Sequence, residues 1–208
     1  MPGHDIIVIG ASAGGVEALS QLVRSLPADL PASIFVVLHI AAHSTSVLPI
    51  ILNRRGSLPA SHPQDGEEIL AGHIYVAPPD QHLLVKRGHI QIAHDPKENR
   101  YRPAVDSLFS TAAQVYNRRV VGVILSGALD DGTEGLLVVK QRGGVAIVQD
   151  PEEALYDGMP RSAIKKVEVD HILPLSAIVE VLVKLAYEEV EETAHPVEKN
   201  LAIESKMA

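Results

Sequence analysis

The sequence contains no cysteine and no tryptophan, and aromatic residues make up only 3% of its 208 positions. Without cysteine the chain can form no disulfide, no thiolate nucleophile and no cysteine-ligated zinc site. The shortage of aromatics leaves Val, Ile, Leu and Ala to fill the interior, which suits a buried parallel sheet. No apolar run approaches the roughly 20 residues that a membrane span needs, and no basic, apolar leader is present. Membrane insertion is therefore not expected, and a cytoplasmic location is. Positive charge is also short, with 18 Lys and Arg against 26 Asp and Glu and a formal net charge of -8. That balance argues against a nucleic-acid partner, because displacing phosphate counterions takes clustered cations. The ten histidines show no HExxH or other ligand spacing, so neither a metal nor a cofactor is expected.

What is there is a hydrophobic fraction of 46%, enough for one sizeable core. One globular domain is expected over residues 1–187. Residues 188–208 read as an acidic, aperiodic and flexible tail. Within the domain, short apolar runs alternate with segments of helical period. The strands read as "IIVIG", "SIFVVLHI", "HIYVAP", "RVVGVILSG", "VAIVQD" and "DHILPL". The helices read as the segment from Val16 to Leu26, "STSVLPIILNRR", "VDSLFSTAAQVY", "DGTEGLLVVKQRGG" and "SAIVEVLVKLAYEEV". One stretch, "HLLVKRGHIQIAH", reads as an antiparallel hairpin with Arg87 and Gly88 at its turn. This alternation predicts a doubly wound, mostly parallel α/β sheet, Rossmann-like, with helices on both faces.

The first strand runs into a glycine-rich bend, "IGASAGG". A dinucleotide fingerprint of the form G-x-G-x-x-G would need a glycine at Ser12, where a side chain pushes the pyrophosphate away. It also needs an acidic residue after the next strand, where His39 stands. A nucleophile elbow, G-x-S-x-G, fits Gly10, Ser12 and Gly14 without a mismatch. Taken alone, Ser12 serves equally well as a helix N-cap.

In open parallel sheets, chemistry collects beyond the carboxyl ends of the strands, where strand order reverses. Ser12 follows the first strand, His39 closes the second, and Asp130 and Asp131 follow "VVGVILSG". These are the three residue types of a serine triad. A free hydroxyl is a weak nucleophile, so a histidine must take its proton and a carboxylate must orient the imidazole. His43, four residues beyond His39, competes for the role of base. Either aspartate could equally sit at a helix start, favoured by the dipole.

The runs "IGASAGGVEAL", "VLHI", "DGEEILAGHIYVAPPDQHLLV", "RPAVDSLFSTAA", "LSGALDDGTEGL" and "QDPEEALYDGMPRSAI" together resemble the catalytic domain of the chemotaxis protein-glutamate methylesterases, the CheB type. The resemblance extends from about Ile6 to Leu182. It implies a serine hydrolase that cleaves γ-glutamyl methyl esters on the cytoplasmic bundle of chemoreceptors, releasing methanol, and that deamidates some glutamines. By motif, Ser12 would be the nucleophile, His39 the general base and Asp131 the orienting carboxylate. Ala13 and Ala128 would border the oxyanion, and a loop of Gly158, Met159, Pro160 and Arg161 would line the site. Arg102, Pro103 and Asp106 match a family segment, which implies receptor contact or support of the site.

Two departures from the family pattern stand out. A glycine-methionine-glycine run is usual where this chain has Gly127, Ala128 and Leu129. Many members also carry an amino-terminal receiver domain, whereas this chain starts almost directly on the first strand; any phosphorylation control is then expected from a separate receiver protein. The altered run at Ala128 and Leu129 motivates an alternative, a catalytically impaired chemosensory binding module. A nucleotide-binding oxidoreductase is the weaker alternative, set back by Ser12 and His39.

Overall fold

The computed structural model describes residues 3–40 and 45–190. Its strands and helices are, in chain order, β1 (Ile6–Ala11), α1 (Gly15–Arg24), β2 (Ser33–Leu38), α2 (Leu48–Arg55), β3 (Ala60–Ser61), β4 (Ile74–Val76), β5 (His82–Val85), β6 (Ile90–Ala93), α3 (Val105–Tyr116), β7 (Val120–Ile124), α4 (Thr133–Gln141), β8 (Val145–Gln149), α5 (Gly158–Lys166), β9 (His171–Leu173) and α6 (Leu175–Tyr187). The apolar runs of β1, β2 and β7 become strands at the centre of the sheet, buried on both faces. Along β1, Ile7, Ile9 and Ala11 join one hydrophobic cluster while Ile6 and Val8 join another, the two-residue period of a pleated strand. Helices α1, α2 and α6 cover the first face, and α3, α4 and α5 cover the second.

Seven strands form one sheet in the order β3-β4-β2-β1-β7-β8-β9, and every pairing in it is parallel. The chain winds outward from β1 through β2 to β4, returns to place β7 beside β1, and winds the other way to β9. Strand order therefore reverses between β1 and β7, which is the topological switch point. The hairpin stands apart as a two-stranded antiparallel sheet of β5 and β6, with Gly88 at φ +79° in its turn.

Three local differences have physical causes. Residues 158–166, expected to begin as a loop, form α5, because Met159 and Ala163 bury one stripe of it against the sheet. β3 spans only two residues, too few to show a period. The second helix starts at Leu48, with Pro49 in its first turn, after Thr45, Ser46 and Val47; Ser44, the expected start, lies outside the described residues. Of the expected tail, residues 191–208 lie outside the described part of the chain.

Candidate active site

At the end of β1 the chain must turn into α1 within three residues. Gly14 takes φ +74°, a left-handed value that side chains resist, and the Gly15 N–H donates back to the Ser12 carbonyl at 2.8 Å. Ser12 stands half-buried at the apex of that bend. A second set of bonds ties the bend to the end of β7. The Ser12 N–H donates to the Ser126 carbonyl at 3.0 Å, and the Ser126 hydroxyl donates to the Ala13 carbonyl at 2.8 Å. Ser126 is held in turn by its N–H, which donates to Gln149 Oε1 at 2.9 Å. Sequence reasoning singles out neither Ser126 nor Gln149. Both lie at the carboxyl edge of the sheet, so the strand-end filter that selects Ser12 could have found them.

His39 follows β2, and its N–H donates to the Ala11 carbonyl at 3.1 Å, which places it one strand away from Ser12. Its imidazole Nε2 lies 2.7 Å from Asp131 Oδ2, with the two side chains 6% and 0% exposed. The ring of Tyr101 stacks flat on the imidazole, centroids 3.6 Å apart and planes 2° from parallel. Imidazole Nδ1 is buried and has no hydrogen-bond partner among the described residues. Tyr101 is a further residue the sequence does not flag; it sits in a connecting segment without periodic pattern.

Asp131 is more heavily engaged than a simple helix-start residue. Its Oδ2 accepts the Val105 N–H at 2.8 Å and its Oδ1 accepts the Asp106 N–H at 3.1 Å, the first two N–H groups of α3. Burial works to raise the pKa of this carboxyl, but the bonds from His39 and Val105 outweigh it and hold the group below the usual carboxylate range. Asp131 is thus a fixed anion, set against a helix N-terminus. Asp130, by contrast, is exposed and is reached by Asn99 Nδ2 at 3.4 Å. His43 lies outside the described residues.

The remaining sequence candidates divide. The N–H groups of Ala13 and Ala128 donate to no acceptor among the described residues. Leu129 next to Ala128 is 54% exposed and sits at φ +66°. Gly158 packs against that segment so tightly that an added Cβ would come within 2.9 Å of the Leu129 nitrogen. Met159 and Pro160 are buried in the first turn of α5, and Met159 supports the Gly127 segment, its N–H donating to the Gly127 carbonyl at 2.9 Å. Arg161 is exposed and engaged elsewhere, by Asp157 at 2.5 Å and Glu152 at 2.9 Å. Arg102 is likewise committed, to Asp80 at 2.8 Å and to the Asp95 carbonyl at 2.9 Å. No group of three or more His, Asp or Glu suited to a metal occurs among the described residues.

Comparison with known proteins extends the geometric picture. The family model for CheB methylesterase matches residues 7–182. A Leptospira interrogans relative is 39% identical over 190 residues, which cover 91% of this chain and 98% of the relative. The protein-glutamate methylesterase/protein-glutamine glutaminase of Thermotoga maritima is 38% identical over 184 residues, covering 86% of this chain and 54% of that protein. The crystal structure of the Thermotoga maritima CheB methylesterase catalytic domain superposes with a TM-score of 0.83 at 37% identity, covering 87% of this chain and 98% of that domain. The chain thus spans nearly the whole of one relative and about half of another. Neither the binding-module nor the oxidoreductase alternative finds support in these likenesses.

Proposed function

The chain belongs to the CheB methylesterase family, and on that premise we propose that it hydrolyses γ-glutamyl methyl esters on the cytoplasmic helical bundle of chemoreceptors and deamidates particular glutamines there. Such a substrate is met in the cytoplasm, which is where this reading puts the protein; no helix among the described residues is long and apolar enough to cross a membrane. The observation that carries the reading is the His39–Asp131 pair at the carboxyl edge of the sheet, with one imidazole nitrogen committed at 2.7 Å, the other without a partner among the described residues, and the His39 backbone N–H donating to the carbonyl of Ala11, the residue before Ser12.

In this mechanism Asp131 holds the Nε2–H of His39, so that Nδ1 carries the free lone pair. Nδ1 takes the proton of Ser12 as Oγ attacks the ester carbonyl carbon. The carbonyl π bond becomes an oxyanion, held by the N–H groups of Ala13 and Ala128, which are otherwise unused. Collapse of that intermediate breaks the carbon–methoxy bond, and Nδ1–H protonates the leaving oxygen to give methanol. A water then attacks the acyl-enzyme, with Nδ1 again taking the proton. The products are a glutamate side chain and regenerated Ser12. With glutamine the leaving group is ammonia. The test is methanol release from receptor membranes carrying methylated glutamates. Release by the parent chain and none by Ser12→Ala is the expected result; no release by the parent would overturn the reading.

A further inference from the structure

Behind Asp131 lies a second buried acid that the proposed mechanism does not use. Asp106 is the second residue of α3 and 5% exposed. While the Asp131 carboxylate accepts the first two N–H groups of α3, the Asp106 carboxyl reaches the other way. Its Oδ1 accepts the Gly135 N–H of α4 at 2.7 Å. Neither helix has a side-chain cap of its own: Ala104 precedes α3 and Gly132 precedes α4. Each helix start is thus satisfied by the acid belonging to the other, and orphan N–H groups that would otherwise be buried are accounted for. The crossing is close because Gly135 lacks a side chain, whose Cβ would stand 2.7 Å from Phe109 Cβ and 3.0 Å from Asp106 Cα.

We propose that Asp106 is a positioning residue of the hydrolytic site, which through this reciprocal capping of α3 and α4 fixes the Asp131 carboxylate in line with His39. The inference rests on the hydrolase reading above. Asp131 has no freedom to choose its direction alone: it lies in the loop leading into α4, yet its acceptors are spent on α3 and on His39. The relative position of the two helix starts therefore sets where Oδ2 points, and the bond from Gly135 to Asp106 pins that position.

The charge state follows from the surroundings. Burial, and then the adjoining Asp131 carboxylate, push its pKa up to about 7 against the opposing pull of the Gly135 N–H. The other charged group that faces it is Glu98, from the segment before α3, and this acts in the same direction. His39 touches the far side of Asp131 and keeps that neighbour ionised. Below about pH 7 one proton on the pair leaves a single negative charge, on Asp131, where the imidazole needs it. A neutral Asp106 still offers a carbonyl oxygen to Gly135. An asparagine in its place would do the same.

The experiment uses the full chain with Asp106→Ala and Asp106→Asn. It reads three quantities: kcat and KM for methyl-ester hydrolysis, the downfield ring N–H resonance of His39, and Tm at pH 5 and pH 8. In the Ala variant kcat is expected to fall about tenfold or more with KM little changed, since loss of positioning acts on the chemical step, and the ring N–H resonance broadens or vanishes. In the Asn variant kcat stays within about threefold of the parent and the resonance persists. An acid whose folded pKa lies above its unfolded one binds more protons when folded, so stability declines between about pH 4 and pH 7. Asn removes that decline, so its Tm relative to the parent is higher at pH 8 than at pH 5. A folded Ala variant with parental kcat and an intact resonance overturns the proposal. If Ala does not fold, the Asn variant decides, through a tenfold loss of kcat or the absence of a pH-dependent Tm gain. If the parent releases no methanol, the hydrolase reading fails by itself, while the resonance and the Tm still judge Asp106.

Discussion

Leu129 stands where the resemblance noted in the sequence implies a glycine, and it holds φ +66°. A left-handed leucine costs roughly 1–2 kcal/mol in contact with its own backbone, and glycine would avoid that cost while losing about 0.5–1 kcal/mol to its freer unfolded chain. Leu129→Gly is therefore expected to leave the protein as stable as the parent or up to about 1 kcal/mol more so, read from urea unfolding; a loss above about 1 kcal/mol would show that the exposed leucine makes contacts that matter. The strain sits beside Ala128, whose N–H is unused, so the chain keeps this backbone shape even with an unfavourable residue in it. At Ser12 the expectation is different. No side-chain hydrogen bond is formed by Ser12 among the described residues, so Ser12→Ala should unfold at the same temperature as the parent, while turnover falls by a factor of about 10⁴ to 10⁶. Esterase activity within a hundredfold of the parent in that variant would remove Ser12 from the mechanism.

Among the elements, α3 bears on the site most directly, since its first turn supplies both N–H groups that hold Asp131. It can approach the sheet that closely because Gly10 in β1 has no side chain. A Cβ there would lie 2.3 Å from Val105 Cγ1. Gly10→Ala must push α3 outward by the amount of the overlap, and such overpacking typically costs about 1–3 kcal/mol. Activity in the folded fraction should drop as well, because Val105 takes Asp131 with it. Circular dichroism melts and ester hydrolysis together check this; an alanine variant with parental Tm would mean that α3 is not seated on Gly10. The glycine is legible in the sequence as the first member of G-x-S-x-G, but its second duty, toward a helix some 95 positions further on, is not. The "GMPR" segment makes the complementary case. The family resemblance implies a loop there, yet Gly158 and Pro160 occupy the first turn of α5, where proline's fixed φ and missing N–H do no harm.

For the molecule as a whole, the prediction concerns control. Phosphorylation can shift a balance between covered and open sites only where both states exist in the molecule. The 208-residue chain by itself is expected to hydrolyse receptor methyl esters at the same rate with and without acetyl phosphate. A strong dependence on the phosphodonor in the purified chain would show that it carries a switch of its own. Truncation after Tyr187 should alter the rate by less than about twofold if residues 188–208 are bystanders, and a large gain would show that they restrain the site.

What the sequence determined by itself was the winding, from strand runs and helical periods that local burial enforces, and the residue types at each strand end. The fit of Gly10, Ser12 and Gly14 to an elbow, the lack of cysteine and the misfit of Ser12 and His39 to a nucleotide site are properties of short segments. They need no knowledge of what lies opposite. The choice between Asp130 and Asp131 was of another kind. Both are acidic, adjacent and placed before the same helix, and only the position of α3 buries one against His39 while leaving the other to Asn99. The same holds for Tyr101 stacked on the imidazole, for Gln149 holding Ser126 and for Asp106 capping α4. Each of these contacts joins segments more than 20 residues apart, and tertiary packing alone sets the distance and direction on which a hydrogen bond or a ring stack depends.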